Sequence, residues 1–106
     1  MKDSMTTFYS THYPNFQETG YYYQLIQNRP LITAEHRHDF FEVFVILDGN
    51  AAHICDGVTS VVGAGSFVFL SPENVHAFEM HNGDISTFSL SITPERFAQP
   101  QLLLRS

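Results

Sequence analysis

The chain has 106 residues, with 43% hydrophobic and 15% charged content, which suits one globular domain and excludes a disordered one. Five Lys and Arg against eleven Asp and Glu give a net charge of −6. The basic residues, Lys2, Arg29, Arg37, Arg96 and Arg105, are scattered, which argues against this chain alone binding a phosphate backbone or an anionic membrane.

Residues 1–20 are polar and aromatic, with Pro14 and Gly20 as breakers, and predict an irregular N-terminal arm. They contain no apolar signal core. Short strands are expected at 21–27, 41–47, 51–55, 58–62, 66–70, 76–80 and 85–92. Asp48-Gly49-Asn50, Asp56-Gly57, Gly63-Ala64-Gly65, Ser71-Pro72-Glu73-Asn74 and residues 81–84 supply the turns between them. This regular spacing predicts an all-β sandwich or barrel over residues 21–93. Phe67, Phe69, Phe78 and Phe88 are expected in its core.

At Thr93-Pro94-Glu95 the pattern changes. Thr suits an N-cap, Pro the first helical position and Glu the first turn, so a helix should begin there. Pro100 interrupts it, and the apolar residues 102–104 stand at the very end. Residues 94–106 therefore read as the start of a helical linker or dimerisation segment, in a polypeptide expected to continue. The longest apolar run, 43–47, is too short to span a membrane. The single cysteine, Cys55, allows no intrachain disulfide. A cytoplasmic protein is expected.

The candidate site lies in EHRHDFFEVFVILDG, residues 35–49. Side chains on a strand alternate faces. If 36–47 runs as one strand, His36, His38 and Glu42 point the same way as Phe40, Phe44 and Ile46, into a barrel interior. Two imidazoles and a carboxylate form a ligand set for Fe, Mn, Ni or Zn with positions left open. His76, opening a strand after the Pro72 turn and sharing parity with Phe78, is a fourth candidate. His53 and Cys55 share a face, but no third group orients them, so nucleophilic catalysis is not expected. His12 and His81 are expected to be solvated. Tyr21, Tyr22 and Tyr23 are candidates for the pocket mouth, at least one of them turning outward.

These residues resemble the two-motif signature of the cupins. The first motif is complete: His36-x-His38, Glu42 after three residues, Gly49 after six more. In the second, Gly65 precedes His76 by the family spacing, but Ser71 stands in place of proline, Glu73 in place of glycine and Met80 in place of asparagine. The resemblance implies a cupin double-stranded β-helix, a small β-barrel or jelly roll, with a short C-terminal helix. HRHDFFE, GAGSFVFLSPENVHAF and ITPERF are further similar to the N-terminal sensor domains of AraC-type transcription regulators.

That second resemblance implies a non-enzymatic, homodimeric domain binding a small effector, such as a sugar, near His36, His38, Glu42, His76, Phe40, Phe44 and Phe78. DNA would be contacted only by helix-turn-helix units outside this chain. His36, His38, Glu42 and His76 either hold a divalent metal or hydrogen-bond a polar ligand. The alternatives are a free-standing metal-dependent cupin enzyme, a dioxygenase or isomerase, and a dimerisation module with a vestigial pocket.

Overall fold

The computed structural model describes residues 6–98 except 14, 31, 81 and 82, and for Met80 the backbone alone. Pro100, residues 102–104 and His81 thus lie outside the described residues. Nine strands are present among the described residues: β1 (Thr6–Phe8), β2 (Tyr21–Arg29), β3 (Thr33–His38), β4 (Phe41–Asp48), β5 (Asn50–Cys55), β6 (Val58–Gly63), β7 (Phe67–Leu70), β8 (His76–Met80) and β9 (Ile85–Ile92). They form a five-stranded sheet, β1-β3-β8-β5-β6, and a four-stranded sheet, β2-β9-β4-β7. Two short helices, α1 (Phe16–Thr19) and α2 (Pro94–Phe97), complete the described chain. No described helix is long and apolar enough to cross a membrane.

The strand expected at 41–47 is β4, and the condition of one continuous strand over 36–47 is not met, because β3 and β4 lie in different sheets. The chain turns at Asp39 and Phe40 to pass from β3 to β4. Asp39 fixes this corner: its N–H donates to the carbonyl of Phe8 (3.1 Å), and its Oδ1 accepts from the N–H of Ser10 (2.7 Å). Parity survives the corner. His38, Phe40, Phe44 and Ile46 are buried, while Leu47 is exposed.

The arm is more ordered than its composition suggested. β1 pairs in parallel with β3, and a 3-10 turn follows at Ser10–His12. Phe16 is fully buried, stacking on Tyr22 and meeting the edge of Phe40 at 5.1 Å. Burying a side chain of that size stabilises the arm on the barrel by about 1.5–3 kcal/mol.

The core fills one end of the space between the sheets. Phe44, Ile46, Ala51, Val62, Leu70, Phe78 and Ile85 pack together there. Phe44 and Phe78 also line the cavity that occupies the other end, so the core forms the floor of the pocket. Gly49 closes the β4–β5 turn at φ 86°, and a Cβ there would lie 2.5 Å from the carbonyl oxygen of Asp84. Both facts require glycine at this motif position.

Of the four phenylalanines expected in the core, only Phe78 is there. Phe67 and Phe69 are 74% and 56% exposed, and Phe88 is 37% exposed. Pairing aligns Val45 with both Phe67 and Phe88, and Val43 with both Phe69 and Leu90. The outer face of the four-stranded sheet is therefore apolar. The inner face of β9 is polar instead, presenting Thr87, Ser89 and Ser91 to the cavity. Strand polarity is inverted here, and a rule placing aromatics inside fails. α2 begins as expected, with Thr93 Oγ1 accepting from the N–H of Arg96 (3.3 Å), and Phe97 stacks on Phe41 at 4.0 Å.

Candidate metal centre

β3 and β8 pair antiparallel with His36 directly opposite His76, so backbone register alone brings these two imidazoles together. His38, two residues along β3, joins them on the same face. Ring centroids lie 4.3 Å apart for His36 and His76, and 5.6 Å for His38 and His76. One ring nitrogen from each of the three comes within 4.8 Å of the others, close enough to share one ion.

His76 depends on a built loop. The Asp56-Gly57 hairpin tip has φ values of 50° and 84°, as a two-residue turn requires. Asp56 Oδ1 accepts from the N–H of Val75 (2.9 Å), and its Oδ2 accepts from Asn74 Nδ2 (2.7 Å). These bonds, that to Val75 first, hold the Asp56 carboxyl below its ordinary pKa. Asn74 Oδ1 accepts in turn from the N–H of Ser71 (2.8 Å). Proline, expected at 71 from the cupin pattern, has no N–H to give. This departure is thus built into the loop that delivers His76.

All three histidines are oriented through Nδ1. In His36 it lies 2.9 Å from the carbonyl oxygen of Ala34, and in His38 3.1 Å from that of Phe40. A carbonyl only accepts, so Nδ1 carries a proton in both, and in the neutral imidazole Nε2 is the bare nitrogen. In His76, Nδ1 lies 3.0 Å from Nε2 of His53. The Nε2 atoms of His38 and His76 are buried and have no hydrogen-bond partner. A buried polar atom left so is costly. A cation at the point where the three rings converge would satisfy both, so the residues present fit a divalent metal.

Burial, and after it the neighbouring imidazoles of His36, His38 and His53, push the pKa of His76 down to about 3. His76 is therefore a neutral imidazole at physiological pH. Burial also lowers His53, with Glu42 opposing and His36 adding to the shift. Glu42 stands outside the three-histidine group but beside it, with Oε1 3.0 Å from Nε2 of His38.

The cavity over this centre measures about 210 Å³ and is lined by all seven residues expected near the ligand, His36, His38, Phe40, Glu42, Phe44, His76 and Phe78. That volume is below the ~300–1,000 Å³ of drug-sized pockets. Phe8, Tyr13, Gln24, Thr87, Ser89 and Ser91 also line it and were not anticipated. The alternation of hydroxyls with Phe88 and Leu90 along β9 was the available signal.

Of the three tyrosines, Tyr22 lines the cavity, Tyr23 points to solvent, and Tyr21 lies under the Arg96 guanidinium. His12 is exposed, as expected. His53 was read beside Cys55, yet it stands behind His76. Cys55 packs against the core, and burial raises its thiol pKa, so it is no activated nucleophile.

Fold and site together define a cupin-type barrel with a three-histidine cluster able to hold a divalent metal. The AraC-like ligand binding domain family matches residues 20–103, and the chain belongs to that family. Over 63 residues it is 30% identical to the HTH-type transcriptional activator RhaS of Klebsiella pneumoniae (strain 342). The match covers 59% of this chain and 23% of that protein, so the chain spans about a quarter of its length.

Among solved structures, a predicted oxalate decarboxylase from Thermotoga maritima superposes with a TM-score of 0.61 at 19% identity, covering 76% of this chain and 74% of that one. DMSP lyase DddQ from Ruegeria pomeroyi DSS-3 gives 0.58 at 23% identity, covering 70% and 38%. These likenesses show the fold. With the three-histidine cluster, they correct the expectation that this domain is not an enzyme. The same barrel serves an enzyme and a predicted one, and this chain carries three histidines able to share one ion.

Proposed function

We propose that this domain is a metal-dependent cupin acting on a small, oxygen-rich molecule. His36, His38 and His76 hold a divalent metal through Nε2, and Glu42 supplies the fourth donor. The observation that carries this reading is the convergence of one ring nitrogen from each of His36, His38 and His76 within 4.8 Å, with Nε2 of His76 buried and without a hydrogen-bond partner. When bound, Fe, Mn, Ni or Zn supplies Lewis-acid polarisation of a ligand oxygen.

The chain's own residues do the rest. Phe40, Phe44 and Phe78 exclude water from the floor and wall of the cavity. Thr87, Ser89, Ser91 and Gln24 offer neutral donors and acceptors to hydroxyl groups of the ligand, and among the described residues the lining contains no Lys or Arg. A neutral, hydroxyl-rich molecule such as a sugar suits that wall better than a multiply charged anion.

The family match favours a second reading of the same pocket, in which the ligand is an effector and is not turned over. The domain would then be the sensing and dimerising part of a cytoplasmic AraC-type regulator. DNA contacts would lie in sequence outside this chain, as the length of RhaS fits.

One experiment tests the proposal and separates the readings. Chelator-stripped protein is reloaded with Mn, Fe, Ni or Zn and challenged with small hydroxy compounds, following both binding and product. Metal-dependent product formation supports the enzyme. Saturable binding that leaves the ligand intact supports the sensor. Failure to take up any metal overturns the site.

A further inference from the structure

The centre contains an asymmetry. His36 and His38 are held by backbone carbonyls, which can only accept, so Nδ1 carries a proton in both whatever the neighbouring side chains do. His76 is held by a side chain whose facing nitrogen can carry a proton or lack one. Two nitrogens 3.0 Å apart form a hydrogen bond only if one bears the proton. If His53 Nε2 donates, neutral His76 carries its own proton on Nε2, buried and without an acceptor. If His76 Nδ1 donates, its Nε2 is bare and converges with the other two. Only the second arrangement leaves three lone pairs on one point.

We propose that His53 is a positioning residue of the metal centre: its bare Nε2 accepts the Nδ1–H of His76 and so keeps the Nε2 of His76 free for the ion. The inference rests on the metal reading above. His53 itself lies outside the three-histidine group.

Register shows how the position arises. His53 pairs across strands with Phe78, and β5 pairs with β8 so that His76 faces Cys55, placing His53 one diagonal step from His76. His53 is 3% exposed. Its ring packs against Phe44 at 5.6 Å and Phe78 at 4.9 Å, which limits its rotation. Partners that orient a ligating imidazole typically change metal affinity by about 10- to 100-fold when removed.

The test has two arms. In metal-free wild-type protein, long-range proton–nitrogen NMR reads the tautomer of His76 directly. Protonation at Nδ1 is expected, and protonation at Nε2 overturns the proposal. In the second arm, Co(II) titrations followed by visible absorption compare the wild type with His53→Leu and His53→Gln. Leu keeps bulk without an acceptor, whereas the Gln amide oxygen can take the place of Nε2.

His53→Leu should bind Co(II) about 10- to 100-fold more weakly, and His53→Gln should recover much of that loss. Equal affinity in all three overturns the role of His53 while the metal reading stands. A wild type that binds no Co(II) overturns the metal reading, and the tautomer measurement still decides whether His53 sets His76. Should His53→Leu fail to fold, the wild-type spectrum and the Gln variant carry the decision.

Discussion

The Nε2 atom of His38 stands 3.0 Å from Oε1 of Glu42, yet no hydrogen bond joins them. The Nδ1–H of His38 is engaged by the Phe40 carbonyl. In the neutral imidazole Nε2 is then bare, and two acceptors face each other at ion-pair distance, an arrangement that a shared cation would resolve. Glu42→Gln should oppose stability and function. The amide can donate to Nε2, so the metal-free variant should gain about 0.5–1.5 kcal/mol in urea unfolding. Its Co(II) affinity should fall by roughly tenfold or more, about 1.4 kcal/mol. A variant equal to wild type in both measurements would show that the contact carries no conflict.

Acid should destabilise the metal-free protein. The pKa of His76 is about 3 in the folded state against 6.5 for a free histidine. Between those values the unfolded chain binds the extra proton, so stability rises with pH. The contribution is fully present above about pH 6.5 and is lost as pH falls toward 3. Urea midpoints at pH 7 and 5 should differ, and His76→Gln should reduce that difference. An unchanged slope in the variant would remove His76 from the explanation.

Inside and outside positions on the two sheets should behave oppositely. Ile46 and Leu70 are 1% and 0% exposed, and truncation of either to Ala should cost about 2–5 kcal/mol. Phe67, although larger, is 74% exposed, and Phe67→Ser should stay within about 0.5 kcal/mol of wild type. Thermal or urea unfolding decides this, and a loss at Phe67 comparable to that at Ile46 would contradict the assigned faces.

The Asp56 clamp should be felt at the metal centre. Asp56→Ala removes the acceptor for Val75 N–H and Asn74 Nδ2, both in the loop before His76. The Val75 amide should then exchange its hydrogen faster, and Co(II) should bind several-fold more weakly. Unchanged exchange at Val75 would show that the loop holds itself.

Local pattern carried much of this structure. Even parity from His36 to Ile46 predicted the inward face correctly through a corner that parity itself could not see. Burial does not care which sheet supplies the strand, provided the alternation continues. His76 was legible because motif spacing reports a fixed loop. The partner of His53 was not legible, because only the β5–β8 register sets it, and register is a non-local property. The phenylalanines of β7 and β9 misled because aromatic character was weighed above alternation, although Thr87, Ser89 and Ser91 already marked the inner face of β9 as polar.

The central claim is that His36, His38 and His76, with Glu42, form one metal site. Anomalous diffraction from crystals of the metal-reloaded protein, recorded on both sides of the metal's absorption edge, tests it most directly. The account predicts one strong peak per chain, bounded by the three Nε2 atoms and the Glu42 carboxylate. Fully loaded protein with its peak elsewhere, or an empty cavity after reloading, would contradict it.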